Sequence, residues 1–299
     1  MRIITWTAAA AMVALLASGA RAAQQQDFSK VEVKTTELGH NVYMLEGAGG
    51  NVTFAVGTNG VIMVDSEFAP MHDKLKAAIA KITNLPVQYL INTHYHGDHT
   101  GGNAAFGNEG AIIVAHRNVK NRLASPTPGA NGQTPAAAPP AALPTSLYSD
   151  SVTVAVAGPS AQVIHIANAH TDGDSFVYFP EANVMAVGDT GGPNRYPNMD
   201  VPGGGTIDGM IAASQAFVDK ANDQTKIVPG HGPLSTKADF KAYHDMLVTI
   251  RDRVAKLKSE GKSQDQAVAA KPLADIQAKI QQDDMASERV VRQVYATLK

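Results

Sequence analysis

The sequence predicts an α/β fold in which two similar halves pack sheet against sheet with helices outside. Two observations carry this reading. Short β-branched runs separated by turn residues lead into a helical segment, and that succession occurs twice along the chain. The 299 residues are 44% hydrophobic and 17% charged, enough apolar mass for a large buried core.

The elements follow in order. Residues 31–33, 42–45, 52–56 and 61–64 read as a meander of strands, with Gly47–Gly50 and Gly57–Gly60 as turns. Leu75, Ile79 and Ile82 recur at helical spacing between Pro70 and Thr83, and Asn84 and Pro86 end that helix. Residues 87–91 and 112–114 are apolar strands. The stretch 124–145 is rich in Pro, Ala and Gly without periodicity, as in a long surface loop. Strands resume at 152–156, 163–166, 176–179 and 184–187, a helix is expected over 207–218, and 227–228 is a short strand. Phe240, Tyr243, Leu247, Ile250, Val254 and Leu257 then step by three and four toward a stop at Gly261, and Val291, Val294 and Leu298 mark a final helix. The domain expectation is a targeting segment over residues 1–22, a main domain over 28–245, and a helical C-terminal extension over 246–299 packed on the same domain.

Composition narrows the function classes. Arg2, the mostly apolar or small residues 3–17 and Ala20-Arg21-Ala22 have the form of a removable signal peptide, too short for a spanning helix. The expected location is therefore the periplasm or the outside, with no membrane anchor after cleavage. No Cys is present, which excludes disulfides, thiol nucleophiles, lipid attachment at Cys and thiolate metal ligands. A net charge of -2 with no Lys/Arg cluster speaks against a nucleic-acid partner. The expected partner is a small molecule, and no protein partner is expected.

The chemistry concentrates in His94-Tyr95-His96-Gly97-Asp98-His99, directly after an apolar strand. In extended backbone His94 and His96 point the same way and can grip one ion, while Gly97 lets the chain turn so that Asp98 and His99 reach a second. Imidazole and carboxylate donors suit Zn²⁺. His170, Asp189 in Gly188-Asp189-Thr190, and His231 in Pro229-Gly230-His231-Gly232 each follow an expected strand and are the remaining candidates. His40, His72, His116, His165 and His244 lie outside this pattern and read as structural. Asn92, Thr93 and Asp174 are candidates for orienting the imidazoles. The loop 47–51 is a candidate flap over the site.

This ordered set resembles the metallo-β-lactamase superfamily over roughly residues 40–245. The resemblance implies an αββα four-layer sandwich holding two Zn²⁺ at its strand ends. It implies that His94, His96 and His170 hold the first ion, that Asp98, His99 and His231 hold the second, and that Asp189 bridges them. Two ions ~3.5–4 Å apart share a water and lower its pKa toward ~7. The expected activity is thus zinc-dependent hydrolysis of an amide, lactam or ester by a metal-bridging hydroxide, with Asp98 as the catalytic acceptor that orients it. A β-lactam is the first expected substrate. A thioesterase or lactonase like glyoxalase II and a non-catalytic metal-binding relay protein are the alternatives. Two features depart from antibiotic-degrading members: a carboxylate, Asp189, stands where many have Cys, and the first cation after it is Arg195 rather than an early Lys. Asn194, Arg195 and Tyr196 are the expected substrate contacts.

Overall fold

The computed structural model describes residues 27–129 and 132–298; the expected signal peptide lies outside them. Two mixed sheets form the centre of the fold. The first has seven strands in chain order: β1 (Lys34–Gly39), β2 (Val42–Glu46), β3 (Val52–Val56), β4 (Val61–Val64), β5 (Val87–Ile91), β6 (Ile112–His116) and β7 (Ser146–Tyr148). β1 to β4 pair antiparallel through tight turns, and β4 to β7 pair in parallel across longer connections. The second sheet has the order β12-β11-β10-β9-β8, from β8 (Ser151–Ala155), β9 (Ser160–His165), β10 (Ser175–Phe179), β11 (Val184–Gly188) and β12 (Lys226–Pro229). In that sheet only β11 and β12 are parallel.

Alternation along the strands builds three apolar layers. On β3 and β4, Ala55, Ile62 and Val64 face the other sheet and meet Val163, Val177 and Phe179. The intervening Val52, Phe54, Val61 and Met63 face outward onto Leu75 and Ile79 of α1 (His72–Ala80). Burial on both faces is why these strands read as unbroken apolar runs. The second sheet buries Phe176, Met185 and Ile227 against Phe217 of α5 (Ile207–Lys220) and Phe240 and Leu247 of α6 (Lys237–Ser259). The result is the expected αββα order.

Differences from the sequence expectation are local. The first strand lies at β1, not at 31–33, because an edge strand with one inward residue, Leu38, leaves little apolar signal. Five short helices were not predicted: α2 (Gly97–Thr100), α3 (Asn103–Asn108), α4 (Arg117–Ala124), α7 (Gln264–Ala269) and α8 (Ala274–Ile280). Each buries two residues or fewer, too few for a periodic stripe. α9 (Asp284–Thr297) returns Val290, Val291 and Val294 to the core that α6 occupies. The expected boundary at 245/246 is corrected: it falls inside the 23-residue α6, which is capped at its start by the reciprocal Thr236–Asp239 pair. Among the described residues no helix is long and apolar enough to cross a membrane.

The histidines outside the main cluster pack locally. His72 sits edge-on to Phe106, His244 meets Ser214, and His40 forms a left-handed hairpin turn with Asn41. His116 stacks on His165 with ring centroids 3.7 Å apart, and its Nδ1 accepts the Asn118 N–H at the start of α4. Burial, and after it the neighbouring His165, pull the His116 pKa down to about 4. Because its ordinary value is ~6.5, the unfolded chain takes up this proton first, so stability is lost as pH falls from ~6.5 toward ~4. Replacing His116 by Asn keeps a capping acceptor and removes the titration. The urea midpoint should then drop less in His116→Asn than in the parent between about pH 7 and about pH 4.5. Equal drops would refute the assignment.

Candidate metal centre

The parallel strands deliver the site. β4, β5, β11 and β12 end at one edge of the sandwich, and the residues just past their C-terminal ends are Asp65, His94, Asp189 and His231. The segment from His94 to His99 turns through α2, and His170 enters from the β9–β10 connection. Three overlapping groups have potential ligand atoms within 4.8 Å of one another: His94, His96 and His170; His94, His99 and Asp189; and Asp98, His99 and His231. All seven expected ligands are therefore brought together. Asp189 lies between the groups, with Oδ1 at 3.2 Å from His99 Nε2 and 3.5 Å from His231 Nε2, and Oδ2 at 3.7 Å from His170 Nε2.

The hydrogen bonds test whether these donors fit a cation. His170 Nδ1 meets the Asn198 carbonyl at 2.6 Å, and a carbonyl only accepts, so this nitrogen carries the proton. His96 Nε2 lies 3.0 Å from Asp200 Oδ2, and His99 Nδ1 lies 2.8 Å from Asp65 Oδ2. The Thr93 hydroxyl donates to Asp65 and so accepts from His94 Nδ1 at 3.0 Å. Four imidazoles thus spend their outer N–H on fixed oxygens. The inner nitrogens of His94, His96 and His170 are left as lone pairs: His170 Nε2 faces His96 Nδ1 at 2.9 Å, and His94 Nε2 is buried with no partner. Converging bare lone pairs in a buried place are repulsive unless a cation sits among them. The donor set fits metal.

Electrostatics agree for His94 and His170. Burial, then the surrounding imidazoles, hold His94 well below its ordinary pKa, and burial holds His170 at about 4, so both stay neutral. Against burial, the neighbouring His99 and His231 keep Asp189 well below the usual carboxylate range, and the same ion pairs draw His99 well above its ordinary value and His231 up to about 9. Asp200 is likewise lowered by hydrogen bonds from His96 and Tyr95 against the opposing effect of burial.

The supporting residues differ from the sequence expectation. Thr93 does orient an imidazole, as just described. Asn92 does not; its amide exchanges hydrogen bonds with Asn103 of α3 and locks the end of β5. The Asp174 carboxylate does not orient a ring of the cluster either; it takes the Thr171 N–H and hydroxyl at 2.7 and 2.6 Å and so shapes the turn that carries His170, while the Asp174 backbone carbonyl meets His165 Nδ1 at 2.8 Å. Of the expected substrate contacts, Arg195 lies beside the cluster. Its Nη1 donates to the His231 carbonyl at 3.3 Å, and it lines a cavity of about 10 Å³ with Asp189 and His231. Asn194 is exposed in a left-handed turn. Tyr196 lines the same cavity but is 3% exposed, and its hydroxyl donates to the Leu273 carbonyl, because the chain after Arg195 dives under the C-terminal helices. Asp65 and Asp200 were missed. Asp65 had a signal, an acid directly after the apolar run of β4; Asp200, in an irregular loop, had none.

A family model described as the metallo-beta-lactamase superfamily matches residues 45–231, more than half of the chain. The chain belongs to the metallo-β-lactamase superfamily. Members of this superfamily are metallohydrolases in general, and the His/Asp groups above are able to hold metal. Among solved structures, a metallo-β-lactamase from Pontibacter korlensis superposes with a TM-score of 0.60 at 17% identity, covering 73% of this chain and 99% of that one. The sec-alkylsulfatase Pisa1 from Pseudomonas sp. gives 0.67 at 15% identity, covering 89% of this chain and 51% of that one. At these identities the likeness shows the fold. In sequence, the chain is 29% identical over 137 residues to the alpha subunit of a 2,4-dinitroanisole O-demethylase from Nocardioides sp., which is 45% of this chain and 39% of that protein. It is 38% identical over 56 residues to a hydroxyacylglutathione hydrolase from Polaromonas sp., or 18% of this chain and 21% of that protein. The matched stretches thus span well under half the length of these relatives.

Proposed function

We propose that this superfamily member is an exported hydrolase that holds two Zn²⁺ and opens an amide, lactam or ester bond of a small molecule. The observation that carries the proposal is the set of inward, unprotonated imidazole nitrogens of His94, His96 and His170, with Asp189 beside them. His94, His96 and His170 would hold one ion and Asp98, His99 and His231 the other, with Asp189 between them. When bound, such a pair supplies Lewis acidity and brings the pKa of a water toward ~7.

The chain's own residues set the geometry of that chemistry. Asp65, Thr93, Asp200 and the Asn198 carbonyl orient the rings of His99, His94, His96 and His170, so these four need no reorganisation when substrate arrives. Asp98 is 26% exposed at its side chain, the most open of the site's carboxylates, and its Oδ2 lies 3.0 Å from His231 Nε2. It is the group placed to accept a proton from an attacking water, which makes it the catalytic residue of this reading. Arg195 is the cation available to an anionic group on the substrate.

A β-lactam is the first substrate class, since an exported enzyme meets such compounds directly and Arg195 can face their carboxylate. A thioester or lactone is the second reading. It is favoured by the carboxylate at position 189 and by the segment shared with the hydroxyacylglutathione hydrolase. Purified protein assayed on a chromogenic cephalosporin, an acyl thioester and a lactone separates the two. Turnover should fall at least about 100-fold after a chelator strips the metal and return with zinc. Two bound ions with no turnover on any of the three would point instead to a non-catalytic metal-binding role.

A further inference from the structure

Glu67 is fully buried, lies outside the ligand set and has an unusual backbone. After β4 the chain passes through two non-Gly residues in the left-handed region, Asp65 at φ 62 and Glu67 at φ 52. Such conformations cost on the order of 1–3 kcal/mol each and persist where something is gained from them. At Asp65 the gain is contact with His99 and Thr93. At Glu67 the carboxylate turns toward the β2–β3 loop, where Oε2 accepts the N–H groups of Ala48 and Gly49 at 3.0 and 2.8 Å. Its Oε1 is buried without a partner.

That loop ties the two ligand-bearing segments together. The Gly50 N–H donates to the Asp98 carbonyl at 3.0 Å, and the Asn51 N–H donates to the Gly230 carbonyl at 2.7 Å, one residue before His231. The Asn51 side chain adds bonds to the carbonyls of Pro229 and Gly232 at 2.8 and 2.9 Å. There is no room for side chains along this path: a Cβ on Gly50 would lie 2.1 Å from His99 Cε1, and one on Gly47 would lie 2.2 Å from Glu67 Oε1. The strap touches the Asp98, His99 and His231 group; among the described residues its hydrogen bonds reach neither His96 nor His170.

We infer that Glu67 is a positioning residue for the second metal group: its carboxylate pins the loop 47–51, which holds Asp98 and His231 at one separation. The inference rests on the two-ion reading above. It is a selective claim, because loosening the loop loosens one ion and leaves the other.

Zinc titration of the purified full chain in competition with a chromogenic chelator tests it, together with amide hydrogen exchange. In Glu67→Ala the second zinc should bind at least about tenfold more weakly, while the first stays within about threefold of the parent. The Ala48, Gly49 and Gly50 amides should exchange at least about tenfold faster, with α6 unchanged. Glu67→Gln keeps an oxygen for the two N–H groups and should stay within about threefold of the parent on both ions. If Glu67→Ala does not fold, Glu67→Asp, one methylene too short to reach the loop, takes its place with the same expectation. Equal weakening of both ions, or an unchanged second ion with a protected loop, overturns the inference. A parent that takes fewer than two zinc ions refutes the two-ion reading instead, and the exchange comparison then decides the role of Glu67.

Discussion

Asp189→Ala should lower turnover by at least about 1,000-fold, or ~4 kcal/mol of barrier, and leave no more than one zinc ion per chain. Among the described residues, Asp189 is the one carboxylate within 4 Å of His99, His170 and His231 together. Without it a set of neutral imidazoles and Asp98 must balance two dications, and the shared position between the groups is lost. Asp189→Cys is the informative control: a thiolate is also a zinc ligand, so this variant should keep more metal than the alanine variant. Metal content by elemental analysis, with kcat on the best substrate of the panel, checks both. Two retained ions and more than about a tenth of parental turnover in Asp189→Ala would remove this residue from the centre of the site.

The second large effect is expected at Asp65. Its carboxylate accepts from the Thr93 N–H at 2.8 Å, the Thr93 hydroxyl at 2.7 Å and His99 Nδ1 at 2.8 Å, all in a buried setting. Asp65→Ala strands three donors at about 1–3 kcal/mol each, and because neighbouring losses add less than fully, a loss of about 3–6 kcal/mol in unfolding free energy is expected. Zinc affinity should also drop about 10- to 100-fold, because His99 loses the oxygen that sets its tautomer. Asn tolerates the left-handed backbone and still offers one oxygen. Asp65→Asn should therefore recover much of the stability while remaining weak for zinc. Urea unfolding and chelator competition measure the two effects separately. An alanine variant as stable as the parent would mean that the Asp65 hydrogen bonds carry no net weight.

The residues differ in how visible they were before the fold was known, and the reasons are physical. His94, Asp189 and His231 follow strands buried on both faces, so each stands out as a polar residue at the end of an apolar run. Asp65 has the same placement after β4, yet an isolated acid after a strand resembles any turn residue. Asp200 lies 104 residues from His96 and meets it only because the loop between β11 and α5 folds back over the His94–His99 turn. Glu67 was hidden for the same reason, since nothing local shows that its partners are Ala48 and Gly49. Tyr196 lines the cavity beside Asp189 and Arg195, yet most of its ring is buried in the core, which proximity to Asp189 along the chain does not show.

What the amino-acid order alone determined is the kind of chemistry available at the His-rich run. A chain without Cys has only imidazole and oxygen donors to offer a metal, and alternation along extended backbone already put His94 and His96 on one side. The tertiary structure decided which nitrogen of each ring is left bare. That choice depends on oxygens from Asp65, Thr93, Asn198 and Asp200, which reach the rings from separate loops. An imidazole can carry its proton on either nitrogen with nearly equal ease, so the selection comes from distant acceptors that only folding brings within hydrogen-bonding distance.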